Sequence, residues 1–306
     1  MLYFIVNPAS SSGKGMKIWE KTKNILEERQ IRYHCIMLYK KGQTRRAAEK
    51  ISELTKEVTV VLVGGDGTVN EFVSGLTRRS HVTLGIIRTG SGNDFASALD
   101  LPTDPEEMLD LILAGKGIRP LTTGIAKTPG ESFSFAVSSG LGLDAAVCEA
   151  SNSSGSKSIL NMIGLGKLVY TLQGLKALIS NPVISMTIET DNETFTFNKV
   201  YFAVVMNTKY EGGGYMFAPD ADPSDDVFDL VIAEGISRPK SILMMKPARK
   251  GKHVDKKGIH IIRCSRVHIT TNRPACLHTD GEVPGYYDEV TYSLSEDRLR
   301  TITGLD

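Results

Sequence analysis

Apolar and polar residues follow two different periods in the first 125 or so positions. Short apolar or β-branched runs predict strands at residues 2–6, 33–38, 58–63 and 82–87. Stretches with helical spacing lie between or after these runs and predict helices at residues 16–30, 44–55, 68–77 and 106–114. Alternation of strands and helices is typical of an α/β domain with a parallel sheet covered on both faces.

From about residue 125, predicted strands follow one another without intervening helices. The strand predictions cover residues 132–138, 183–190, 194–206, 227–233, 259–264, 266–271 and 289–294. Helical spacing is clear only at residues 158–179 and weaker at 241–246. The pattern predicts a β-rich antiparallel sandwich or barrel-like domain. The division is therefore a first domain at 1–125, a second at 126–292, and a segment at 293–306 that returns to the first.

Composition and charge exclude several classes of protein. The 306 residues carry 36 Lys and Arg against 35 Asp and Glu, a net charge of +1, which argues against a globally basic nucleic-acid binder. A hydrophobic content of 41% excludes a disordered chain. The four cysteines form no CxxC pair, which is typical of reduced thiols in a cytoplasmic protein. No apolar run approaches the roughly 20 residues of a membrane-spanning helix.

A glycine-rich loop follows the third predicted strand and precedes a helix. It reads Gly64-Gly65-Asp66-Gly67. At the carboxyl end of a strand, glycines let the backbone approach a phosphate closely, and the helix N-terminus offers unpaired N–H groups. The alternative is a tight turn in which Asp66 or Thr68 caps the helix. Because a turn needs fewer glycines, the sequence favours phosphate binding.

Two further loops repeat this arrangement after neighbouring strands. Gly90-Ser91-Gly92 precedes Asn93-Asp94, and a Ser/Gly loop containing Lys14 follows the first strand. The latter is not a Walker A loop, because Pro8 stands at the first glycine position and Gly15 at the Ser/Thr position. Loops at adjacent strand ends converge on one crevice, so we expect a single ligand site.

These motifs together resemble those of the diacylglycerol kinase catalytic-domain superfamily, above all the soluble bacterial diacylglycerol and related lipid kinases. The resemblance rests on residues 7–15, 64–71 and 90–96, and continues through weaker motifs at 140–145, 212–214, 219–221, 228–230 and 280–282. It implies an NAD-kinase/phosphofructokinase-like first domain, a lipid-binding second domain and an active site between them.

The resemblance also implies a nucleotide site for ATP with a catalytic Mg²⁺. Asp66 and Asp94 are the candidate Mg²⁺ ligands, and Lys14 would neutralise phosphate charge. The residues expected at the nucleotide are Asn7, Lys14, Gly64, Gly65, Asp66, Gly67, Thr68, Val69, Asn70 and Ser91. A threonine that contacts the nucleotide in the family aligns with Leu38, so that contact is lost or shifted here.

In the second domain, the resemblance assigns the base to the segment Asp280-Gly281-Glu282. One of the two acids accepts the proton of the lipid hydroxyl; we favour Glu282 with Asp280 assisting, and the reverse stays open. Taken alone, Asp-Gly is also the strongest short signal for a hairpin turn.

An acidic loop between residues 220 and 226 is the candidate structural Mg²⁺ site. The resemblance implies a side-chain ligand from Asp225 and backbone carbonyls from Asp222 and Val227, with Asp226 in place of the usual glycine. A solvated acidic loop is the alternative.

A basic stretch separates Glu234 from Asp280, with 11 Lys or Arg and a single acid, Asp255. Such a cluster suits the anionic surface of a membrane, and a solvated face is the alternative. No nucleic-acid-binding module accompanies it. The sequence thus predicts a cytoplasmic, peripherally membrane-associated lipid kinase. A homodimer is common in the family.

Three questions about function stay open at this point. The substrate expected from the resemblance is diacylglycerol, phosphorylated to phosphatidic acid, but the sequence does not identify the lipid. One alternative function is that of an NAD kinase-like enzyme, although the Gly-Ser-Thr-Ala-Tyr segment of that family is missing. The other is a catalytically silent regulator that binds nucleotide or lipid.

Overall fold

The computed structural model describes residues 1–153 and 182–305. The chain forms two compact units: unit 1 comprises Met1–Thr123 with Ser295–Asp306, and unit 2 comprises Gly124–Leu294. The predicted helix at 158–179 lies outside the described residues. Within those residues, no helix is both long enough and apolar enough to cross a bilayer.

Unit 1 is built on a six-stranded, mostly parallel sheet with the order β2-β1-β3-β4-β17-β5. Only β5 runs antiparallel to its neighbour. The predicted α/β architecture is confirmed. The elements of this unit are β1 (Leu2–Val6), α1 (Ser10–Glu28), β2 (His34–Met37), α2 (Gln43–Ser52), β3 (Val58–Gly64), α3 (Asp66–Gly75), β4 (Val82–Arg88), α4 (Asp94–Ala98), α5 (Pro105–Ala114), β5 (Ile118–Leu121) and β17 (Leu299–Ile302).

The two glycine loops of unit 1 that follow β3 and β4 start from its central strands. β3 and β4 consist almost entirely of buried residues, as expected for parallel strands covered on both faces. The helices pack in pairs, α1 with α5 and α2 with α3. α5 begins where the sequence indicates, because the Asp104 side chain accepts the Glu106 N–H at 2.8 Å and Pro105 stands at the first helical position.

Unit 2 contains one nine-stranded antiparallel sheet. Its main path is β14-β13-β10-β8-β15-β16-β6-β7, and β9 pairs with both β10 and β15. The elements are β6 (Gly124–Lys127), β7 (Ser132–Phe135), β8 (Ser138–Gly142), α6 (Leu143–Ser153), β9 (Ile184–Thr190), β10 (Thr194–Met206), β11 (Tyr210–Glu211), β12 (Tyr215–Met216), β13 (Phe228–Glu234), α7 (Arg238–Ala248), β14 (Ile259–Cys264), β15 (Arg266–Thr279) and β16 (Glu282–Leu294).

Two long strands fold this sheet over on itself. β10 and β15 each pair with β8 along one part of their length and with β9 along another. The apolar faces enclosed in this way form one core that includes Phe135, Phe228 and Tyr292. The predicted β-rich sandwich is confirmed.

Some element boundaries differ from the sequence prediction. The runs at 266–271 and 289–294 are only the outer parts of the β15–β16 hairpin, whose register shifts between Thr270 and Ala275. The polar segment Asn272-Arg273-Pro274 at this irregularity interrupts the alternation that reveals a strand. The predicted strand at 132–138 is in fact the end-to-end succession of β7 and the start of β8. The chain returns to unit 1 through β17, which pairs with β4 and β5.

Candidate functional site

Hydrogen bonds join the three loops that follow β1, β3 and β4. The side-chain amide of Asn7 donates to Thr68 Oγ1 at 3.3 Å. The hydroxyls of Ser10 and Thr89 share a hydrogen bond of 2.6 Å. Because these strands are parallel, their carboxyl ends lie at the same edge of the sheet. The three loops form a single hydrogen-bonded surface in unit 1.

Two glycines allow the loops after β3 and β4 to touch through their backbones. A Cβ atom on Gly65 would lie 2.9 Å from the Cα of Gly90, and a Cβ on Gly90 would lie 2.9 Å from the Cα of Gly65. Next to this contact, the N–H of Thr89 donates to the carbonyl of Gly64 at 2.9 Å. Both of these close atoms belong to the backbone, so a side chain at either glycine would force the two loops apart.

The carboxylate of Asp66 links the same two loops. Its Oδ1 accepts the backbone N–H of Phe95, at the start of α4, at 3.2 Å. Burial raises the pKa of Asp66, and the backbone N–H groups of Phe95, Asp94 and Asn93 oppose that shift. A desolvated carboxylate is stabilised by a cation, so Asp66 fits a divalent metal ion. Asp94, only 7% exposed, supplies a second carboxyl group at the same helix start.

Neither Asp66 nor Thr68 caps α3, contrary to the alternative interpretation of the Gly64–Gly67 loop. The N-cap residue of α3 is Gly65, and no side chain caps the helix. Asp66 instead accepts a hydrogen bond from α4, and Thr68 accepts one from Asn7. The first N–H groups of α3 therefore have no side-chain cap, which suits a ligand phosphate.

The other residues predicted at the nucleotide divide into exposed and buried ones. Gly67, Lys14 and Ser91 are exposed, and Lys14 directly follows three residues of positive φ, at positions 11–13. Val69 and Asn70 are buried, so Val69 can offer a ligand only its backbone. Leu38 is also buried, and its N–H donates to the Val6 carbonyl at 2.8 Å.

In unit 2, Asp280 and Gly281 form the turn of the β15–β16 hairpin. Their φ angles of 50° and 84° are those of a two-residue type I′ turn. The Asp280 carboxylate accepts three backbone N–H groups, from Ala136 and Val137 at 2.8 Å and from Ser138 at 3.0 Å. Three such donors stabilise the ionised carboxylate and make it a poor proton acceptor.

Glu282 occupies a different environment from Asp280. It is the first residue of β16, pairs across the turn with Thr279, and is half-buried. The geometry thus separates the two acids that the sequence left interchangeable. Asp280 anchors the turn to the chain between β7 and β8, and Glu282 follows that anchored turn.

A fully buried histidine supports this turn from inside unit 2, and the sequence analysis missed it. The Gly281 nitrogen lies 3.3 Å from His278 Nδ1, which accepts its N–H when the ring is neutral. The other ring nitrogen, Nε2, lies 2.8 Å from Asp144 Oδ2 and 3.3 Å from Glu211 Oε1. Burial lowers the pKa of His278, but the charges of Glu211 and Asp144 outweigh it and raise the pKa to about 9. The sequence offers a signal only in retrospect: a histidine two residues before an Asp-Gly turn.

Asp144, Glu211 and His278 also have the composition of a metal site, since their potential ligand atoms lie within 4.8 Å of one another. The hydrogen bond from Gly281 argues against that assignment. In a neutral ring, Nδ1 accepts this N–H and the ring proton is on Nε2, the atom that faces both carboxylates. In a charged ring, Nε2 is protonated as well. We therefore interpret the three residues as a hydrogen-bonded network.

The acidic loop predicted to hold a structural Mg²⁺ is paired with a basic side chain from another strand. The guanidinium of Arg263 pairs with Asp225 Oδ2 and lies 3.4 Å from Asp229 Oδ1. Asp225 Oδ1 accepts the Val227 N–H at 3.2 Å, and Asp222 Oδ1 accepts the Ser224 N–H at 2.9 Å. Both Asp225 oxygens thus have partners within the protein, and a structural Mg²⁺ at this loop stays a prediction. Asp226 adopts a φ of 59°, which suits a position where the family has glycine.

Comparisons with known proteins cover nearly the whole chain. The family model of the diacylglycerol kinase catalytic domain matches residues 1–124, and that of the YegS C-terminal NAD kinase beta sandwich-like domain matches residues 136–295. The Bacillus subtilis protein named "Putative lipid kinase YtlR" is 28% identical over 92% of this chain and 93% of its own. A Bacillus subtilis diacylglycerol kinase is 31% identical over 78% of this chain and 75% of its own.

Solved structures share the fold over almost the full length. A structure from Bacillus anthracis described as a diacylglycerol kinase superposes with a TM-score of 0.69 at 18% identity, covering 99% of this chain and 96% of its own. An NAD kinase from Archaeoglobus fulgidus, solved with ATP, superposes with a TM-score of 0.53 at 13% identity and covers 99% and 94%. These structures show the fold, and the family models together with the 31% identical Bacillus subtilis diacylglycerol kinase show that the chain belongs to the diacylglycerol kinase family and is a lipid kinase of the bacterial type.

Proposed function

We propose that the protein transfers the γ-phosphate of ATP to the free hydroxyl of a diacylglycerol and so produces phosphatidic acid. The observation that carries this proposal is the Asp66 carboxylate, which joins two touching glycine loops and is desolvated as a cation ligand would be. The relatives named diacylglycerol kinase support the choice of lipid.

Unit 1 provides the groups that a nucleotide triphosphate needs. The contact between Gly65 and Gly90 leaves the backbone free of side chains where the two loops meet. The uncapped N–H groups at the start of α3 would donate to phosphate oxygens, and Lys14 would neutralise their charge. Asp66 and Asp94 would hold Mg²⁺, which on binding neutralises charge on the transferring phosphate.

Unit 2 provides the base. The lipid oxygen attacks the γ-phosphorus, the bond to the β–γ bridging oxygen breaks, ADP leaves, and Glu282 takes the hydroxyl proton. The hydrogen bonds at Asp280 support this division of roles, because its carboxylate is occupied by three N–H donors. Asp280 is then a positioning residue that fixes the turn ahead of Glu282.

The test is transfer of label from γ-labelled ATP to lipid in mixed detergent micelles with Mg²⁺. Diacylglycerol, monoacylglycerol, phosphatidylglycerol and a sphingoid base are offered separately, and we expect label chiefly in phosphatidic acid. If another lipid carried the label, that lipid and not diacylglycerol would be the substrate. If no lipid were labelled, the assignment as a lipid kinase would be overturned.

Asp66→Asn provides the sharpest variant for this assay, because an amide oxygen still accepts the Phe95 N–H while the negative charge is lost. We expect turnover to fall by at least about 100-fold with the unfolding temperature little changed. Asp110→Asn, at an exposed position on α5, is the matched control and should retain activity. Full activity of Asp66→Asn would show that the charge of Asp66 is not needed for catalysis.

A further inference from the structure

The helix α7 of unit 2 exposes large apolar side chains to solvent. Leu243 is 75% exposed, Ile242 45% and Met245 42%. Along the entire helix only Ala248 is buried. Large side chains exposed so close together are uncommon on a monomeric protein surface and mark a surface that meets another phase or partner.

The helical period places Ile242 and Leu243 on the side away from the protein. Ile242 and Lys246 are four positions apart and share one face, with Leu243 beside them. Ala248 lies on the opposite side, towards the protein. At the end of the helix, the Arg249 guanidinium lies 4.6 Å from the centre of the Tyr215 ring, which holds that end against β12.

Basic residues flank these apolar side chains in the sequence. Between residues 235 and 257 the only acid is Asp255, and the basic residues are exposed. None of the ion pairs in the described ranges involves the lysines of this segment. The cations are Arg238, Lys240, Lys246, Arg249, Lys250, Lys252, Lys256 and Lys257.

We propose that α7 is the membrane-contacting element of this protein: Ile242 and Leu243 enter the headgroup region of an anionic bilayer while the surrounding lysines contact lipid phosphates. Exposed apolar residues together with Lys and Arg are the composition of helices that lie in a membrane interface. The anionic lipid is favoured over a protein partner by the almost complete absence of acids in the segment. This inference rests on the proposed function, because a lipid substrate requires the protein to reach a membrane.

The experiment is sedimentation with vesicles, without ATP and without turnover, so that binding is measured apart from catalysis. Vesicles of phosphatidylcholine alone are compared with vesicles that also contain phosphatidylglycerol. We expect binding to the anionic vesicles only, weakened as salt is raised. Leu243→Glu should lower the vesicle partition coefficient by about fivefold or more. Leu113→Glu, which changes a leucine 38% exposed on α5 of unit 1, is the matched control and should bind like the wild type.

Charge is tested separately from apolar insertion. Lys246→Gln with Lys250→Gln should weaken binding to anionic vesicles, whereas Lys50→Gln, at an exposed position on α2, should not. Equal binding of wild type and Leu243→Glu, or equal binding to neutral and anionic vesicles, would overturn the proposal. So would a change in oligomeric state of Leu243→Glu without vesicles, because the face would then be an interface between copies.

The kinase assay separates this proposal from the proposed function. Leu243→Glu should phosphorylate diacylglycerol in detergent micelles at the wild-type rate and lose activity on diacylglycerol in anionic vesicles. If Leu243→Glu matched the wild-type rate on diacylglycerol in both micelles and vesicles, α7 would have no role at the membrane, even though the kinase is active. If α7 binds vesicles but the protein labels no lipid, the membrane-contacting role of α7 would be supported and the proposed kinase activity would be rejected.

Discussion

The Nε2 atom of His278 lies 2.8 Å from the Oδ2 atom of Asp144, inside unit 2. On its other side, Nδ1 of the same ring lies 3.3 Å from the Gly281 nitrogen, so one imidazole stands between the Asp280-Gly281 turn and a buried acid. Asp280 ties the turn a second time, to the backbone at residues 136–138. The position of Glu282 after the turn thus depends on His278, Asp144 and the backbone at residues 136–138.

The first prediction concerns the contribution of His278 to stability. Because its pKa rises from 6.5 to about 9 on folding, its stabilising effect is complete below pH 6.5 and is lost as the pH rises through 9. His278→Ala leaves Asp144 and Glu211 without their partner and should cost about 3 kcal/mol at pH 6. Urea unfolding of both proteins at pH 6 and pH 9.5 measures the difference, which should shrink at the higher pH.

His34→Ala is the control for that comparison, because His34 is exposed on β2. Its effect on stability should be small at both pH values. A cost of His278→Ala that does not change with pH would mean that the ring stays neutral, with Nδ1 reserved for Gly281.

The second prediction separates the two acids of the turn. Asp280→Ala leaves three backbone N–H groups without their acceptor, and we expect a loss of about 2–4 kcal/mol in the free energy of unfolding. Glu282→Gln should change stability by less than about 0.5 kcal/mol. Turnover should nevertheless fall by about 100-fold or more, because the amide cannot accept the hydroxyl proton. Denaturant unfolding and the labelled-ATP assay on the same samples measure both effects.

Glu289→Gln on the same strand is the matched control for Glu282, since Glu289 is exposed. It should be as stable and as active as the wild type. An active Glu282→Gln with a stable but inactive Asp280→Asn would reverse the roles assigned to the two acids.

The third prediction concerns the contact between the two glycine loops. In Gly65→Ala the new methyl group would lie 2.9 Å from the Cα of Gly90, so the loops must separate. We expect ATP affinity to fall by about tenfold, or about 1.4 kcal/mol. Calorimetric titration with ATP measures this change. Gly130→Ala is the control, because a Cβ there meets no atom within 4 Å. Unchanged affinity in Gly65→Ala would show that the loop contact does not shape the nucleotide site.

The fourth prediction tests where Mg²⁺ stabilises the protein. Arg263 already pairs with Asp225 and approaches Asp229, so Asp225→Asn should leave the Mg²⁺-dependent rise in unfolding temperature unchanged. Asp66→Asn should reduce that rise in the presence of a nucleotide, since Asp66 is a candidate Mg²⁺ ligand. Thermal unfolding at several Mg²⁺ concentrations measures both. Loss of the effect in Asp225→Asn would establish the structural Mg²⁺ site at the acidic loop.

Much of the site was predictable from local sequence. A buried strand followed by glycines and a helix predicts a loop at the sheet edge, and both the Gly64–Gly67 and the Gly90–Gly92 loops lie there. The Asp-Gly pair correctly indicated the hairpin turn. The homodimer and the lipid identity stay predictions, because acyl chains and subunit contacts use interchangeable apolar residues that leave no motif.

The sequence by itself determined the α/β and antiparallel parts of the fold, since those depend on periodicity along short segments. It also located the glycine loops and the acids beside them. Tertiary structure alone decided what each acid contacts. Asp66 meets the Phe95 N–H, Asp280 meets N–H groups more than 140 positions earlier, and Asp225 meets Arg263. The environment of a carboxylate depends on neighbours that are distant in the chain, and only the folded backbone brings them within hydrogen-bonding distance.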